Sequence, residues 1–439
     1  MMPGSRRQSW RELLADTLGH AVRAPYYRRA FGQRWRRVHT LDDLALLPVL
    51  DKVTAMAHQH ELLVGPVPPG VGIASSGTTR NSGDHAPLMV RTSDAEAEAM
   101  AVDDVDGDPA DTGWTVVVVN VKHGLPAGPP PPREILVPWL HHPNAMHLLE
   151  AALESPTPDG RHADVLRISV GALRCFTVWQ LEQGRDPRRF GLRVIGTNSF
   201  RLSPFWRERI GRAFGATLVD NYSLSEFATP ATECSHCGWL HWGWPPVIYE
   251  VVDLCTGQRR TRGEGLLLLT GIFPYVQTMP LIRYDTGDVV ELGPRCKVTG
   301  QRGLRCLGRL RRGVVVRDGE RGRFVLSPLH VQDVLEAMPE VERGEHPMVK
   351  LGFLRCRDIG LPRWQLHIDE NSPRHARLDV ELRLDPNIFD ARARELERQI
   401  RADVMQVDAP LRAILRKGLL RFEVRAVAAQ SLQPLPDKA

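Results

Sequence analysis

The spacing of apolar residues predicts helices over the first seventy residues of the chain. In RELLADTLGHAVRAPYYRRAF and LDDLALLPVLDKVTAMAHQHELL, apolar side chains recur at intervals close to 3.6 residues. Farther along, HPNAMHLLEAALES, VGALRCFTVWQLEQG and SPFWRERIGRAFG are also predicted to be helices. The Ser-Pro pair near the start of the last stretch is typical of a helix cap followed by a first turn.

Short apolar runs between these helices predict strands. WTVVVVNV is rich in β-branched residues, as buried strands are. LRVIGTN and ATLVDNYSLSE each have the pattern of a strand that ends in a polar turn. Because strands alternate with helices here, the sequence predicts an α/β architecture.

The pattern changes at about residue 247. VIYEVVDLCTGQRRTRGEGLLLLTGI and LIRYDTGDVVELG predict strands joined by glycine turns. After residue 310, strands mix with two predicted helices, SPLHVQDVLEAM and ARARELERQIRADV. We therefore expect a large N-terminal α/β domain over residues 1–308 and a small C-terminal α+β domain over residues 309–439.

Composition narrows the class of protein. No stretch approaches eighteen consecutive apolar residues, so we expect no membrane span. The N-terminus, MMPGSRRQSWRELL, is basic but lacks the apolar core of a signal peptide, which predicts a cytoplasmic protein. The net charge is +5, and the basic residues are scattered among acidic ones, so nucleic acid is not an expected partner.

The cysteines suggest a metal site. The chain has seven cysteines, an odd number without a secretion signal, which argues against a disulfide framework. Cys234, Cys237 and His241 offer three zinc ligands on a short turn, and Cys296 could supply the fourth. His236 is the substitute ligand if Cys296 points elsewhere. The alternative is a set of free thiols without a metal.

A loop of small and hydroxyl-bearing residues follows an apolar run near residue 73. Small residues let backbone N–H groups approach an anion, and the hydroxyls add donors, so the loop could bind phosphate. It is not a Walker A loop, because no Gly-Lys-Ser/Thr follows, and taken alone it could equally be a solvated loop. The candidate residues are Ser75, Ser76, Gly77, Thr78 and Thr79.

Two other stretches place carboxylates at the ends of predicted strands. NYSLSE ends with Glu226, and a carboxylate beside hydroxyls could bind Mg²⁺ against a nucleotide phosphate. MPLIRYDTGD ends with Asp288, which could accept hydrogen bonds from ribose hydroxyls. Gly308 and Arg309 follow twenty residues later, as a turn with a cation. Each stretch alone could also be an ordinary turn.

In this order and spacing, ASSGTT, NYSLSE, MPLIRYDTGD and the later GR resemble the signatures of the adenylate-forming enzymes. APYYRRAF, DLALLPVLDK and TECSHCGWLHW are similar to the phenylacetate–coenzyme A ligase-like branch of that family. The resemblance spans nearly the whole chain, and RYDTGD is its most specific motif. It implies attack of a substrate carboxylate on the α-phosphorus of ATP, with pyrophosphate as the leaving group.

The resemblance also implies roles for individual residues. Ser225 would contact the α-phosphate, Glu226 would bind Mg²⁺, Asp288 would bind the ribose hydroxyls and Arg309 would support ribose or phosphate. Loop residues 75–79 would surround the β- and γ-phosphates of ATP. The residues implied around the adenine are Gly196, Thr197, Asn198, Asn221, Tyr222 and Ser223.

The C-terminus of the chain resembles that of the family, whereas two other stretches differ from the family's motifs. Lys438, in SLQPLPDKA, is the only lysine placed to act as the family's C-terminal lysine, although it could also belong to a frayed tail. Arg80 and Asn81 stand where the family's phosphate loop continues with glycine and lysine. After Arg309, the family often has acidic hinge residues, whereas this chain has Leu310-Arg311-Arg312.

Three hypotheses for function follow. The first is an ATP-dependent ligase that activates a carboxylic acid, aromatic or similarly compact, and transfers the acyl group to coenzyme A. The second keeps adenylation but has an amine or a carrier protein as the acceptor. The third is a degenerate homologue that binds nucleotide without turnover. The oligomeric state is open, with a homodimer as one option. The candidate residues for the acid pocket are Phe200, Trp242 and Trp244.

Overall fold

The structure is a computed structural model of the chain. The structure describes residues 10–65, 72–74, 89–91, 113–120, 133–243, 247–369 and 372–433. Three of the sequence predictions concern residues outside these ranges: the phosphate loop Ser75–Thr79, the C-terminal Lys438 and the pocket candidate Trp244.

The N-terminal region is helical, as predicted, but its helices are short. They are α1 (Trp10–Ala21), α2 (Pro25–Phe31) and α3 (Lys52–Ala57), and a 3₁₀ turn covers Asp42–Leu46. The second predicted helix is interrupted because Pro48 favours an extended residue before it, and Leu47 has φ −96° and ψ 147°. Asp51 then caps α3 by accepting a hydrogen bond from the Thr54 N–H at 2.9 Å. A small antiparallel pair follows, β1 (Gly72–Ala74) and β2 (Met89–Arg91).

A parallel sheet with helices against it confirms the predicted α/β architecture. The strands are β3 (Thr115–Asn120), β4 (Glu134–Trp139), β5 (Val165–Ser169), β6 (Val194–Asn198) and β7 (Thr217–Leu224). They are parallel neighbours in the order β4-β3-β5-β6-β7. The helices of this half are α4 (Pro143–Glu154), α5 (Val170–Glu182) and α6 (Pro204–Phe214). The Ser203 hydroxyl caps α6, at the predicted Ser-Pro start.

The same sheet continues as antiparallel strands beyond β7. These are β8 (Phe227–Glu233), β9 (Leu240–Trp242), β10 (Val247–Val252), β11 (Gly263–Gly271), β12 (Tyr284–Arg295) and β13 (Arg302–Arg309). They run in the order β7-β8-β9-β13-β12-β11-β10, so eleven described strands form one sheet. The ends of β6 and β7 therefore lie on the same sheet as the turn that begins β12.

The described residues from 309 onward, which we call the small domain, form an α+β unit. Its elements are β14 (Val314–Asp318), β15 (Arg321–Val325), α7 (Pro328–Glu336), α8 (Pro347–Lys350), β16 (Trp364–Asp369), β17 (Ser372–Leu382), α9 (Asp390–Val407), α10 (Ala409–Arg416) and β18 (Arg421–Ala428). β16 pairs antiparallel with β17, which pairs parallel with β18, and β14 and β15 form a hairpin.

Three large hydrophobic cores correspond to these parts. One lies between the N-terminal helices and the antiparallel half of the sheet, and includes Tyr27 and Tyr284, both 1% exposed. A second lies between the parallel strands and α4, α5 and α6. The third lies within the small domain, between its sheet and α7, α9 and α10. Among the described helices, none combines the length and the apolar character that crossing a membrane would require.

Candidate functional site

Asp288, Arg309 and Tyr222 meet where β12, β13 and β7 lie close together. Asp288 and Arg309 are directly opposite each other on the antiparallel strands β12 and β13. The Arg309 Nε lies 3.2 Å from the Asp288 Oδ1, and the Tyr222 hydroxyl donates to the Asp288 Oδ2 at 2.7 Å. Three residues that sequence analysis assigned to one nucleotide site are therefore in contact.

The turn before Asp288 depends on a glycine. Asp285 accepts a hydrogen bond from the Gly287 N–H at 2.7 Å, and Gly287 has φ +70°, a conformation that favours glycine. A Cβ at Gly287 would lie 3.3 Å from the Arg309 Nη1. Thr286 closes the turn from the other side, because its hydroxyl donates to the Leu267 carbonyl at 2.9 Å. The TGD sequence thus fixes the Asp288 carboxylate relative to Arg309.

Glu226 forms a second cluster with two residues that sequence analysis did not assign to the site. Lys52 Nζ lies 3.3 Å from the Glu226 Oε1, and the Tyr284 hydroxyl donates to the same oxygen at 3.0 Å. The Glu226 side chain is only 6% exposed. Lys52 is brought here because Leu50 pairs with Tyr284 of β12, through backbone bonds to the flanking residues of that strand. The only sequence signal for Lys52 was its position in DLALLPVLDK.

The two clusters share one electrostatic environment. Burial raises the pKa of the Asp288 carboxyl, with Arg309 and Lys52 opposing that shift and Glu226 adding to it. Burial also raises the pKa of the Tyr284 hydroxyl, and the Glu226 charge raises it further, so Tyr284 stays protonated. Burial opposes the charge of Arg309, but Asp288 and the other groups around the guanidinium together raise the Arg309 pKa. The Glu226 and Lys52 side chains thus act on the same carboxyl group, Asp288, that Arg309 contacts.

RYDTGD begins with an arginine that has a structural role. Arg283 is 4% exposed and has φ +50°. Its Nε and Nη2 bind the two oxygens of Glu250 at 3.0 and 3.1 Å. Its Nη1 also donates to the Leu47 carbonyl. Since every described contact of this guanidinium is with buried protein groups, Arg283 anchors the segment before α3 against the sheet and thereby helps to position Lys52.

The residues implied around the adenine lie at the ends of β6 and β7. The Asn221 side-chain N–H donates to the Thr197 carbonyl at 3.1 Å, and a Cβ at Gly196 would lie 3.5 Å from that amide. Thr197 is fully buried, and its hydroxyl donates to Asp220 at 2.7 Å. Its hydroxyl is therefore committed to the protein. The Asn221 side chain is committed as well, because its Oδ1 accepts a hydrogen bond from the Thr232 hydroxyl at 2.8 Å. Asn198, Ser223 and Ser225 are exposed or half-buried.

The four predicted zinc ligands come together. One ligand atom from each of Cys234, Cys237, His241 and Cys296 lies within 4.8 Å of the others. The sulfurs of Cys234 and Cys296 are 3.9 Å apart, and the Cys237 sulfur is 3.1 Å from the His241 Nε2. His236, the substitute ligand, is exposed and outside this group. Three thiols and one imidazole at such spacing match a closed tetrahedral site.

Two tight turns present these ligands. The first lies between β8 and β9, where the Gly238 N–H donates to the Cys234 carbonyl at 2.7 Å. The second joins β12 to β13, where the Gly300 N–H donates to the Cys296 carbonyl at 2.9 Å. Backbone N–H groups of Thr299 and Val298 lower the pKa of the Cys296 thiol to about 6, against the effect of burial. A thiolate at that position suits a metal ligand.

Phe200 and Trp242, the two described candidates for the acid pocket, have different surroundings. Phe200 is half-buried and packs against the core of the parallel sheet. Trp242 is 4% exposed and contacts Tyr222 edge-on, with ring centroids 6.2 Å apart. Trp242 also lines a cavity of about 520 Å³, together with Tyr249, Arg295 and Arg302. Trp242 therefore lies between Tyr222, a nucleotide candidate residue, and a cavity.

Comparisons with known proteins show which solved structures have a similar fold. No model of a protein family and no curated protein sequence matches the chain. Among solved structures, 2-hydroxyisobutyryl-CoA ligase in an open conformation with 2-HIB-AMP and CoA has a TM-score of 0.65 at 17% identity, over 100% of this chain and 95% of that one. In a postadenylation state the same ligase has a TM-score of 0.62 at 16% identity, over 97% and 86% of the two chains.

A third structure of that ligase, in its thioesterification state with 2-HIB-AMP and CoA, has a TM-score of 0.54 at 18% identity. It covers 97% of this chain and 87% of that chain. At these identities the likeness concerns the fold alone. It confirms the predicted fold class, a large α/β part followed by a smaller C-terminal part. The phenylacetate–coenzyme A ligase-like branch stays a prediction. The chain has the fold of adenylate-forming acid–CoA ligases.

Proposed function

We propose that this protein activates a carboxylic acid with ATP, forming an acyl-adenylate and releasing pyrophosphate. The observation that supports it best is the joining of Asp288, Arg309 and Tyr222 to the Glu226–Lys52 pair in this fold. The Asp288 carboxylate can accept both ribose hydroxyls, and Tyr222 offers a ring beside it. Lys52 and Arg309 add positive charge where a triphosphate would approach.

The remaining roles in the proposal come from the resemblance. Ser225, in the turn beside Glu226, would contact the α-phosphate. Residues 75–79 would surround the β- and γ-phosphates, and Lys438 would contact the acyl carboxylate. The adenine would lie against the ends of β6 and β7, near Asn198 and Asn221. Lys52 is an addition from the structure. It supplies an amine near Glu226 in a chain whose phosphate loop has Arg80 and Asn81 in place of the family's glycine and lysine.

Mg²⁺ fits this arrangement through Glu226. The ion usually keeps several waters and binds one or two carboxylates together with substrate phosphates, so one buried carboxylate is sufficient. When bound, it would neutralise charge on the phosphates. Lys52, which lies at the Glu226 Oε1, would then balance the negative charge of that carboxylate and of the phosphates. The Cys234, Cys237, His241 and Cys296 group fits a structural Zn²⁺ that ties two turns of the sheet together.

The acyl acceptor is the less constrained part of the proposal. Coenzyme A is the first candidate, because the solved ligases of this fold include one with CoA and an acyl-adenylate bound. An amine or a carrier protein is the alternative, since the residues after Arg309 depart from the family's acidic hinge. The substrate acid and a homodimer both remain predictions. A protein that binds nucleotide without turnover is the remaining option, and the two ion pairs at the site, Lys52–Glu226 and Arg309–Asp288, weigh against it.

The test is acid-dependent ATP–pyrophosphate exchange across a panel of carboxylic acids, followed by addition of coenzyme A or amines. We expect exchange with at least one acid and its loss, by about 100-fold or more, in Glu226→Gln and Asp288→Asn. Glu345→Gln, at an exposed position, is the matched control. ATP affinity by calorimetry separates lost binding from lost chemistry.

Each outcome distinguishes the hypotheses. Exchange followed by thioester formation supports an acid–CoA ligase, and exchange followed by amide formation supports the alternative acceptor. ATP binding without exchange for any acid favours the third hypothesis. Full exchange in both Glu226→Gln and Asp288→Asn would place the reaction elsewhere in the molecule.

A further inference from the structure

A cavity of about 520 Å³ lies in the antiparallel half of the large sheet, beside the β12–β13 turn. Its volume is within the range of small-molecule sites. Arg295, which lines it, follows Asp288 by seven residues on β12, or about 20 Å of extended strand. Asp288, Glu226 and Arg309 are not among the described residues that line the cavity. The cavity is therefore separate from the proposed nucleotide site.

The lining of this cavity combines apolar surface with positive charge. Leu41 and Val247 are among its apolar side chains. The described residues that form it also include four arginines and no acidic residue. Apolar surface beside cations suits a ligand that has an apolar body and an anionic group. The four arginines are Arg259, Arg260, Arg295 and Arg302.

Two of the four guanidinium groups have acidic partners outside the cavity lining. Arg259 contacts the Asp42 carboxylate, and the Arg260 Nη1 lies 2.6 Å from the Asp253 Oδ2. Because a carboxylate balances each of these charges, Arg259 and Arg260 attract an anion less strongly than an unpaired arginine would.

Arg295 and Arg302 have no acidic partner among the described residues, although they are neighbours. They lie opposite each other on β12 and β13, where like charges destabilise a strand pair. The Arg295 Nη1 donates to the Gly300 carbonyl at 2.9 Å, and the Arg302 Nη1 donates to the Gly293 carbonyl at 3.2 Å. These bonds hold both guanidinium groups in place, and the Nε–Nη2 edge of each has no bond to the described part of the chain.

Tyr249 lies close to these charges. Burial raises the pKa of the Tyr249 hydroxyl, and the charges of Arg295, Arg259 and Arg302 act in the opposite direction. The hydroxyl donates to the Arg302 carbonyl at 3.1 Å, and the ring stacks on Trp242 with the centroids 5.5 Å apart. Three guanidinium groups thus lie near one uncharged hydroxyl, and a cleft lined by charge of one sign concentrates ions of the other sign.

We propose that this cavity binds a small organic phosphate, with the phosphate group between Arg295 and Arg302 and the apolar part towards Trp242 and Tyr249. A guanidinium group can bind phosphate through two parallel N–H bonds, and the Nε–Nη2 edges of Arg295 and Arg302 offer that geometry. A phosphate ester carries close to two negative charges at neutral pH, so it matches two cations, whereas a carboxylate matches one. The bound phosphate would also relieve the repulsion across the strand pair. This site is additional to the proposed ATP site and does not depend on it.

The first test is calorimetry with phenyl phosphate as the probe. We expect the unmodified protein to bind it and the affinity to fall by about 10-fold or more in Arg295→Gln and in Arg302→Gln, because each loses charged hydrogen bonds. Arg305→Gln, at an exposed arginine of the same strand outside the cavity, is the matched control and should bind normally. No binding at millimolar phenyl phosphate, or equal losses in all three variants, would overturn the proposal. Equally tight binding of inorganic phosphate would also overturn it, since the apolar part would then contribute nothing.

A second comparison separates this cavity from the nucleotide site. Asp288→Asn should bind phenyl phosphate as the unmodified protein does, and Arg295→Gln should retain its affinity for ATP. The opposite result, with binding of phenyl phosphate lost in Asp288→Asn and kept in Arg295→Gln, would place the phosphate in the nucleotide site and overturn the proposal. If the protein binds no ATP, the proposed function fails, and the phenyl phosphate measurements still decide this inference.

The third test uses the unmodified protein, because Arg295 and Arg302 also bind backbone carbonyls and their substitution could loosen the turn. Phenylglyoxal modifies arginine side chains, and mass spectrometry of peptides gives the rate at each position. We expect phenyl phosphate to slow the modification of Arg295 and Arg302 by about 10-fold and to leave that of Arg305 unchanged. Modification of Arg295 and Arg302 at the same rate with and without phenyl phosphate would contradict the proposed site.

Discussion

Lys52 and Glu226 are 174 positions apart in the chain, and their ion pair lies at the centre of the site. Both side chains are largely buried, so the pair depends on the other polar groups around it. Tyr284 supplies one of these by donating to the same carboxylate oxygen. Removal of the lysine would leave Glu226 with one donor and no counter-ion within contact distance among the described residues.

Substitution of Lys52 therefore tests the role that the structure adds to this residue. We expect Lys52→Met to reduce pyrophosphate exchange by about 100-fold, because the charge near the phosphates is lost. Lys52→Arg should restore part of the rate, since it keeps the charge with a different geometry. Lys350→Met, at an exposed lysine, should have no effect. Equal rates for Lys52→Met and the Lys350→Met control would remove Lys52 from the site.

Gly287 permits a test with a matched control. Gly287→Ala and Gly319→Ala both place a side chain at a positive φ, +70° and +65°, so each should lower the free energy of unfolding by about 1 kcal/mol. Only the Gly287 Cβ approaches another group, the Arg309 guanidinium at 3.3 Å. We therefore expect weaker ATP binding in Gly287→Ala alone, measured by calorimetry. Similar losses of affinity in both variants would mean that the turn acts only through stability.

Residue patterns predicted part of this site and missed another part, for a physical reason. Glu226, Asp288 and Arg309 follow apolar strands in short polar motifs, so their chemistry is visible locally. Lys52 and Tyr284 reach Glu226 because Leu50 pairs with a strand more than two hundred residues away. No local pattern specifies that pairing.

At the scale of elements, the two cysteine-bearing turns, β8–β9 and β12–β13, lie next to the point where β9 and β13 pair. β9 and β13 are linked by a single register pair, Leu240 with Leu304. The ligand group spans the turns next to these strands, so a bound ion would strengthen a short contact in the sheet. The spacing Cys-x2-Cys-x3-His predicted three ligands, and Cys296 was the predicted fourth. The β12–β13 turn brings Cys296 to the other three.

Metal removal tests this arrangement. We expect one zinc per chain by elemental analysis, and a fall in the melting temperature of several degrees after treatment with a chelator. Cys234→Ser should lose most of the zinc, whereas Cys255→Ser, at an exposed cysteine outside the group, should keep it. Full zinc content in Cys234→Ser would exclude the proposed ligand set.

A second turn connects the large sheet to the small domain and should respond to acid. Burial alone would raise the pKa of the Asp253 carboxyl, but backbone N–H groups of Cys255, Thr256 and Gly322 and the Arg260 guanidinium lower it to about 2. Gly322 belongs to β15, so this carboxylate links two units. The stability that it contributes is complete above its ordinary pKa of 3.8 and disappears as the pH falls towards 2.

Asp253→Asn should show this dependence directly. At pH 7 we expect a lower free energy of unfolding than in the unmodified protein, measured in urea. The difference between the two proteins should shrink between pH 4 and pH 2, as the native carboxylate becomes protonated. A difference that does not change over this range would assign the effect to packing rather than to charge.

At the scale of the whole molecule, the chain forms a large domain and the small domain. The apolar segments that build their cores were predictable from hydrophobic periodicity. The β/α alternation before residue 224 and the β-rich stretch after residue 247 both appear in the structure as predicted. The interface between the units was not predictable, because its apolar members, such as Met348 and Leu354, look like ordinary core residues of the small domain. Arg174 likewise lies in an apolar helix without any local sign of its partner, Glu336.

The Arg174–Glu336 pair permits a test of how strongly the units are joined. Removal of one partner leaves a buried charge unpaired, so we expect Arg174→Leu to lower the free energy of unfolding by about 3–5 kcal/mol. The double variant Arg174→Leu with Glu336→Leu should recover most of that loss, since no isolated charge remains. Arg212→Ala, which removes the exposed pair with Glu208, should change stability by less than about 0.5 kcal/mol.

Urea unfolding, followed by two probes, measures the stability of the Arg174 and Glu336 variants. The same experiment shows whether the two units unfold together. If the two units unfold cooperatively, tryptophan fluorescence and circular dichroism report one transition in the unmodified protein. Arg174→Leu should separate the two curves, because the small domain then loses its attachment while its own core, around Leu378 and Ile400, stays buried. A single transition in every variant with additive losses would mean that the ion pair contributes nothing specific to the attachment, and that the apolar contacts of residues 346–359 join the domains without it.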